Sequence, residues 1–421
     1  MSKHILKRKV LQDLTNLPNK KTKSSLDISN CCASDFLPIL ENAKNADADT
    51  HTSFESSRQY QNVHPFLGWY KHDLQTKHMS YDKFMELTDV NNEKMMYDFL
   101  MDVGLIPKSR QCQFCGNYMR VKQDKHWFWI CTRRVDGVKC NRGKKSIRDG
   151  TVFDGAMLST QTILTILWHY VHHLSERQCA QYTSISDKNR SSIVKWYKFA
   201  RTICSEWIND PKHSPKLGGY GKIVEFDESF FPGKPKYNRG RRLGEDGWEE
   251  SEKWVFGMTE RGSLDAVAIQ VPASRSRKVL LPIIQQHCNV GTIFCSDSWK
   301  AYNKLEQHLD LEDILHYPVN HSTNYVDPYT GAHTQTIEGF WRQCKVWLPN
   351  FGLKPRYLGI YIGSFCWYRY CKQRDLDMFV QLLRSIAEKR PFNQFILPAA
   401  TVSERKKKVY EKESVEDSDT H

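Results

Sequence analysis

Apolar and polar positions in this chain change their period twice. From Pro65 to Ile106 the residues Phe84, Met85, Leu87, Met95, Met96, Phe99 and Leu100 fall at helical spacings, which predicts a helical lead-in over 63–106. A second helical pattern runs from Leu158 to Ile208, broken by Ser175, Thr183 and the polar turn Ser184 to Asn189. Within it, Leu174 to Tyr182 reads as a first helix and Ser191 to Cys204 as a recognition helix, the rhythm of a helix-turn-helix-like bundle over 151–212. After the loop Pro211 to Gly221 the period falls to two. Ile223 to Asp227, Trp254 to Met258 and Ala266 to Val271 read as strands.

Lys278 to His287 then reads as a helix, Thr292 to Ser296 as a strand, Lys300 to His308 as a helix, Ile314 to Tyr317 as a strand, and the remainder as a long helical tail. Three strands, helix, strand, helix, strand and tail is the order of an α/β layered fold of RNase H-like topology, assigned to 213–385. The first 62 residues are rich in Lys, Asn, Asp, Ser and Thr without an apolar period, and 386–421 closes the chain in the same way, so both read as tails.

Charge narrows the partner. Lys and Arg number 61 against 48 Asp and Glu, a formal charge of +13 that favours a polyanion, and nucleic acid is the reading preferred to an anionic membrane surface. No stretch approaches 18 consecutive apolar residues and the amino terminus has no signal-peptide pattern, so the expected location is intracellular. The basic pieces Lys3 to Lys9 and Lys20 to Lys23 read either as a nuclear import signal or as a solubilising tail.

Of thirteen cysteines, one group has a spacing that demands chemistry. Cys112 and Cys115 form a CxxC pair followed by Gly116, and Cys131 and Cys140 supply a second, wider pair; between them Trp127 to Trp129 reads as a strand. Four thiolates from two local loops suit a closed tetrahedral structural zinc site, a zinc ribbon over 107–150. A redox CxxC, or two unrelated thiol pairs, is the competing reading. Arg120, Lys122, Lys125, Arg133, Arg134, Lys139, Arg142, Lys144 and Lys145 surround the unit and suggest phosphate contact.

Acids in the last domain carry the second candidate chemistry. Asp227 ends the apolar run Ile223 to Phe226, Asp297 ends Thr292 to Ser296, and Glu338 lies on a helix seven residues before Lys345. Singly these could be a turn residue, a helix cap and a surface ion pair with Arg342. Jointly they are the acids that two-metal nucleotidyl transfer requires, with oxygen ligands for Mg2+ or Mn2+. Glu225 and Glu228 are read as pointing away from the face that Asp227 uses. His321, Asn324 and His333 are candidates to orient a phosphate or the leaving 3' oxygen, with a structural role equally open. Lys345, Lys234, Lys236, Arg239, Arg241 and Arg242 are candidate DNA-backbone contacts, against the alternative of a solvated helix face and hairpin.

The strings VEFDESFF, FCSDSWKAY and NHSTNYVDPYTGAHTQTIEGFWRQCK resemble the Merlin superfamily of cut-and-paste transposases and its bacterial insertion-sequence relatives, over about Pro65 to Cys371. The resemblance implies that Asp227, Asp297 and Glu338 are a DDE triad. Their spacings of 70 and 41 residues suit a DDE core without a large insertion. It further implies binding to terminal inverted repeats and target DNA, dependence on Mg2+ or Mn2+, and a homo-oligomeric synaptic complex. Two rivals stay open: a domesticated DNA-binding protein without transposition, and an RNase H-like nuclease that uses the same acids for hydrolysis alone.

Overall fold

The computed structural model describes residues 78–135, 138–140, 144–186, 190–231, 254–319, 326–327, 330–349, 353 and 355–392. The basic amino-terminal pieces, nearly all of both tails, and the sites proposed at Lys234, Lys236, Arg239, Arg241, Arg242, His321 and Asn324 lie outside them.

The lead-in forms two helices, α1 (Tyr81–Thr88) and α2 (Glu93–Asp102). Ser80 starts the first by accepting the Lys83 backbone N–H, and Phe84 and Leu87 bury one face. Short strands follow: β1 (Arg120–Gln123), β2 (Trp127–Ile130), β3 (Arg134–Val135), β4 (Val138–Lys139) and β5 (Lys145–Ser146). They make a three-stranded sheet in the order β1-β2-β5 and a separate β3-β4 hairpin. One carboxylate ties these parts to the next: Glu93 accepts the Trp127 indole N–H and the Gln161 amide, each at 2.9 Å.

The bundle comprises α3 (Thr160–Val171), α4 (Glu176–Tyr182) and α5 (Arg190–Ile208). Ser175 and Gln178 form a reciprocal capping box that starts α4, so the predicted first helix begins two residues later than Leu174. On α5 the buried residues Ile193, Tyr197, Ala200, Cys204 and Trp207 recur every three or four positions, the stripe that faces the core.

The main sheet contains β6 (Ile223–Phe230), β7 (Trp254–Glu260), β8 (Ala266–Val271), β9 (Ile293–Asp297) and β10 (Leu315–Val319) in the order β10-β9-β6-β7-β8. β6, β7 and β8 pair antiparallel; β9 lies parallel to β6, and β10 parallel to β9. Helix α6 (Arg277–His287) connects β8 at one edge to β9 on the far side of β6. Helices α7 (Gln335–Trp347), α8 (Pro355–Gln373) and α9 (Met378–Lys389) form the tail. On one face, Val224, Phe226, Phe256, Met258 and Phe294 pack with Leu280 and Ile284 of α6. The fold is mixed α/β.

Two sequence expectations change. Lys300 to His308 is two single 3-10 turns, Lys300–Tyr302 and Leu305–Gln307, separated by Lys304 with φ +55°. Tyr302, Leu305 and Leu309 still reach the core, so their helical spacing recorded burial rather than a helix. Asp227 lies inside β6 rather than at its end, because the strand continues through Glu228, Ser229 and Phe230.

Candidate functional site

Two clusters of ionisable side chains converge. The thiols of Cys112, Cys115, Cys131 and Cys140 have sulfur atoms all within 4.8 Å of one another. A tight knuckle holds the first pair: Cys112 N–H donates to Asn117 O at 2.8 Å, and Gly116 N–H donates to Cys112 O at 2.8 Å. Gly116 has φ +68°, where a side chain would be strained. Cys131 follows β2, and the Cys140 N–H donates to Arg133 O across the hairpin. Sequence spacing made the second pair look wide, and the β3-β4 hairpin closes that gap. The Asn117 N–H pulls the Cys115 thiol down to about 7, whereas desolvation and the neighbouring sulfurs push Cys140 up to about 12. Four mutually crowded sulfurs of a soft donor type can hold a metal such as zinc.

The carboxylates sit where the two central parallel strands part. β6 and β9 are in register from Ile223 opposite Ile293 to Glu225 opposite Cys295. Asp227 and Asp297 stand two residues further along each strand, at the mouth of that divergence, the place where open α/β sheets present ligands. Helix α7 lies over this face and brings Glu338 from its first turn. Asp227 is pushed up to about 6, mainly by burial, with Asp297 and Glu338 adding repulsion. Asp227 therefore feels both other acids. The three are less tightly gathered than the cysteines, which are the group of potential ligands found within 4.8 Å among the described residues.

Each acid is held by a neighbour. Asp227 Oδ2 accepts the Trp341 indole N–H at 3.1 Å. Asp297 Oδ1 accepts the Trp299 backbone N–H at 3.1 Å. Glu338 Oε1 accepts the Thr334 hydroxyl at 3.3 Å. Gly257, paired with Asp227 across the ladder, makes the first bond possible: a Cβ there would stand 2.5 Å from the Trp341 ring. Asp227 and Asp297 are half-buried and Glu338 is exposed; such oxygen donors fit hard divalent cations, whose charge would relieve the repulsion felt by Asp227.

The other candidates divide. Lys345 is exposed on α7, with its Nζ 5.6 Å from the Phe231 ring centroid. His333 turns its ring towards Arg261 and Glu225, with Nδ1 3.4 Å from each. Glu225 corrects the sequence expectation. Strand alternation puts residues 225 and 227 on one face, and Glu225 is fully buried against the start of α7. Glu228 does point to the opposite face, where it accepts the Tyr302 hydroxyl. Burial, then Asp227 and Asp297, push it up to about 8. Arg275 was missed altogether. Its guanidinium lies 3.6 Å from the Trp254 ring centroid, 5.0 Å from that of Trp299, and 4.0 Å from Glu228. The period-two rule could have found Glu225, but no local pattern signals Arg275.

Residues 216–370 match the family model of the ISXO2-like transposase domain. The matched segment spans all five strands of the main sheet together with α6, α7 and most of α8. It supports a DDE transposase family and, with it, a DNA-cleaving or DNA-transferring enzyme in general. No curated protein matches the chain. Among the described residues, no helix is long and apolar enough to cross a membrane.

Proposed function

We propose that the chain is a cut-and-paste DDE transposase of Merlin type, with Asp227, Asp297 and Glu338 as its catalytic acids. The observation that carries this reading is the placement of Asp227 and Asp297 where β6 and β9 part, with Glu338 in the first turn of α7 near enough to act on Asp227, inside the segment that matches a transposase domain. The strand order, with three antiparallel strands and two parallel ones added beside the first, supports reading this α/β unit as an RNase H-like core.

Two divalent cations, Mg2+ or Mn2+, would supply activation of the attacking oxygen and neutralisation of the leaving one. The protein's part is to hold the carboxylates oriented through Trp341, the Trp299 amide and Thr334. Lys345 and Arg275 add positive charge for the phosphate backbone. Water cleaves the strand, and the freed 3' hydroxyl attacks target DNA in line, so catalysis is positioning and charge neutralisation. The four cysteines hold a structural zinc, and the ribbon with α4 and α5 recognises terminal inverted repeats. A homo-oligomeric synaptic complex in the nucleus completes the reading.

Strand cleavage of inverted-repeat ends in Mn2+, compared between the protein and its Asp297→Ala variant, tests it. Cleavage that disappears in the variant is the expected result. Cleavage equal in both would remove the triad, and sequence-specific binding without cutting would identify a domesticated DNA-binding protein.

A further inference from the structure

The Glu338 helix begins with an unusual division of labour. A helix leaves its first amides unpaired, and the residue before the first turn, here Thr334, ordinarily caps them with its side chain. Thr334 caps none of them. Its hydroxyl instead donates to the Glu338 carboxylate. The cap comes from another element: Glu225 Oε2 accepts the backbone N–H groups of Thr336 at 2.7 Å and Ile337 at 3.1 Å, while Oε1 accepts the Thr336 hydroxyl at 2.8 Å.

Glu225 has no solvent exposure. Such a charge is tolerated because the helix N-terminus is positive and because Arg261, at the end of β7, donates to Oε1 from Nε at 2.9 Å, with its Nη2 at 2.8 Å. The same guanidinium donates to His333 O at 3.2 Å, and the Gln335 N–H donates to His333 Nδ1 at 3.4 Å. The second and third amides of α7 are thus fixed by Glu225 and the first by His333, which the same guanidinium holds. Glu225 sits on the strand and on the face that carry Asp227, two residues away. Trp341, donating to Asp227 from one turn beyond Glu338, forms a second rung between the same strand and helix.

We infer that Glu225 is a positioning residue, clamped by Arg261, that sets where Glu338 stands relative to Asp227 and so tunes the affinity of the acid cluster for divalent cations. The inference rests on the reading of these acids as metal ligands. Glu225 makes no step of the chemistry itself. Its effect passes through α7, and the clamp accounts for a buried carboxylate that loss of solvent alone would disfavour.

The test uses the full-length protein, with Mn2+ as the probe. Mn2+ binding without DNA and the Mn2+ dependence of strand cleavage are measured for wild type, Glu225→Gln, Thr336→Val and Asp297→Ala, alongside thermal unfolding of each. Glu225→Gln keeps the shape and one acceptor but loses the charge; Thr336→Val removes a single bond and leaves the buried ion pair intact. Glu225→Gln should raise the Mn2+ concentration for half-saturation about 10–100-fold, the range seen when a partner of a metal ligand is lost. Saturating Mn2+ should restore most of the cleavage rate. Thr336→Val should move half-saturation in the same direction by about threefold, one hydrogen bond's worth. A purely structural role would lower the melting temperature and leave the Mn2+ dependence of the folded fraction in place, and that result in both variants overturns the inference. If wild type binds no Mn2+, or Asp297→Ala cuts as wild type does, the transposase reading fails and takes this inference with it. If Asp297→Ala is inactive while Glu225→Gln and Thr336→Val titrate like wild type, only the positioning role falls.

Discussion

The cysteine cluster and the carboxylate cluster both gather ligand-type side chains, and they are built in opposite ways. Cys112, Cys115, Cys131 and Cys140 come from one short stretch, folded by a knuckle and a hairpin whose own backbone bonds bring the sulfurs within 4.8 Å. Asp227, Asp297 and Glu338 come from two strands and a helix far apart in the chain, and each is steadied by a different neighbour. The thiols crowd because turns of one short segment bring them together. Asp227 is repelled by the other two acids, and each acid is held by a bond from outside the set. A local site needs only its own turns, whereas an assembled site depends on every element that orients its members.

That contrast can be broken most forcefully at the cysteines. With zinc held by the four cysteines as proposed, Cys131→Ser should release it and unfold residues 107–150, since structural zinc binding is worth on the order of 10–16 kcal/mol in small metal-folded units. Zinc content and protease sensitivity of 107–150 read the loss. The main sheet should keep its cooperative melt.

At the acids the corresponding disruption is one of packing. Gly257→Ala should destabilise the main sheet by about 1–3 kcal/mol, because the new methyl meets the Trp341 ring that reaches Asp227. Denaturant titration checks the cost, and activity should fall further than stability does. A melt unchanged from wild type would show that Trp341 can move aside freely.

Asp227→Asn sharpens the comparison with the opposite sign. The folded carboxyl keeps its proton up to about 6, while the ordinary aspartate value is 3.8. This group therefore favours the folded state at low pH, and that contribution disappears as pH rises through about 6. At pH 7.5, without divalent metal, the neutral Asn should be more stable than Asp by about 1–3 kcal/mol, and Mn2+ should no longer raise its melting temperature. Calorimetry with and without Mn2+ decides the matter. Equal stability of the two at pH 7.5 would mean that burial and the neighbouring acids do not disfavour the Asp227 carboxylate.

The smallest effect concerns the strand beside Asp297. Burial pushes His316 down to about 4, and its Nε2 lies 2.9 Å from the Ser296 hydroxyl. An unfolded histidine takes its proton near 6.5, so stability should fall as pH drops from about 6.5 towards 4, by about 1–2 kcal/mol from this residue. His316→Phe should flatten that part of the stability profile without altering zinc content.

Much of the architecture was legible in the chain. Unbroken runs over Ile223 to Phe226 and Thr292 to Ser296, all buried, marked two central strands, and the stripe on α5 marked its buried face, because both patterns are local responses to burial. CxxC followed by Gly marked the knuckle for the same reason. The reading misjudged Lys300 to His308, where burial recurs at helical spacing without helical backbone. It also misjudged Glu225, whose face follows from simple alternation.

By itself the sequence determined most of the strand and helix periods and the thiol pairs, since each depends on neighbours a few residues away, and it named the three acids only as candidates. Only the tertiary structure decided that β6 and β9 part just before Asp227 and Asp297, that a hairpin carries Cys140 back to its partners, and that Glu225 caps the helix of Glu338. Those relations join residues far apart in the chain. They arise from sheet order and helix packing, which no local period records.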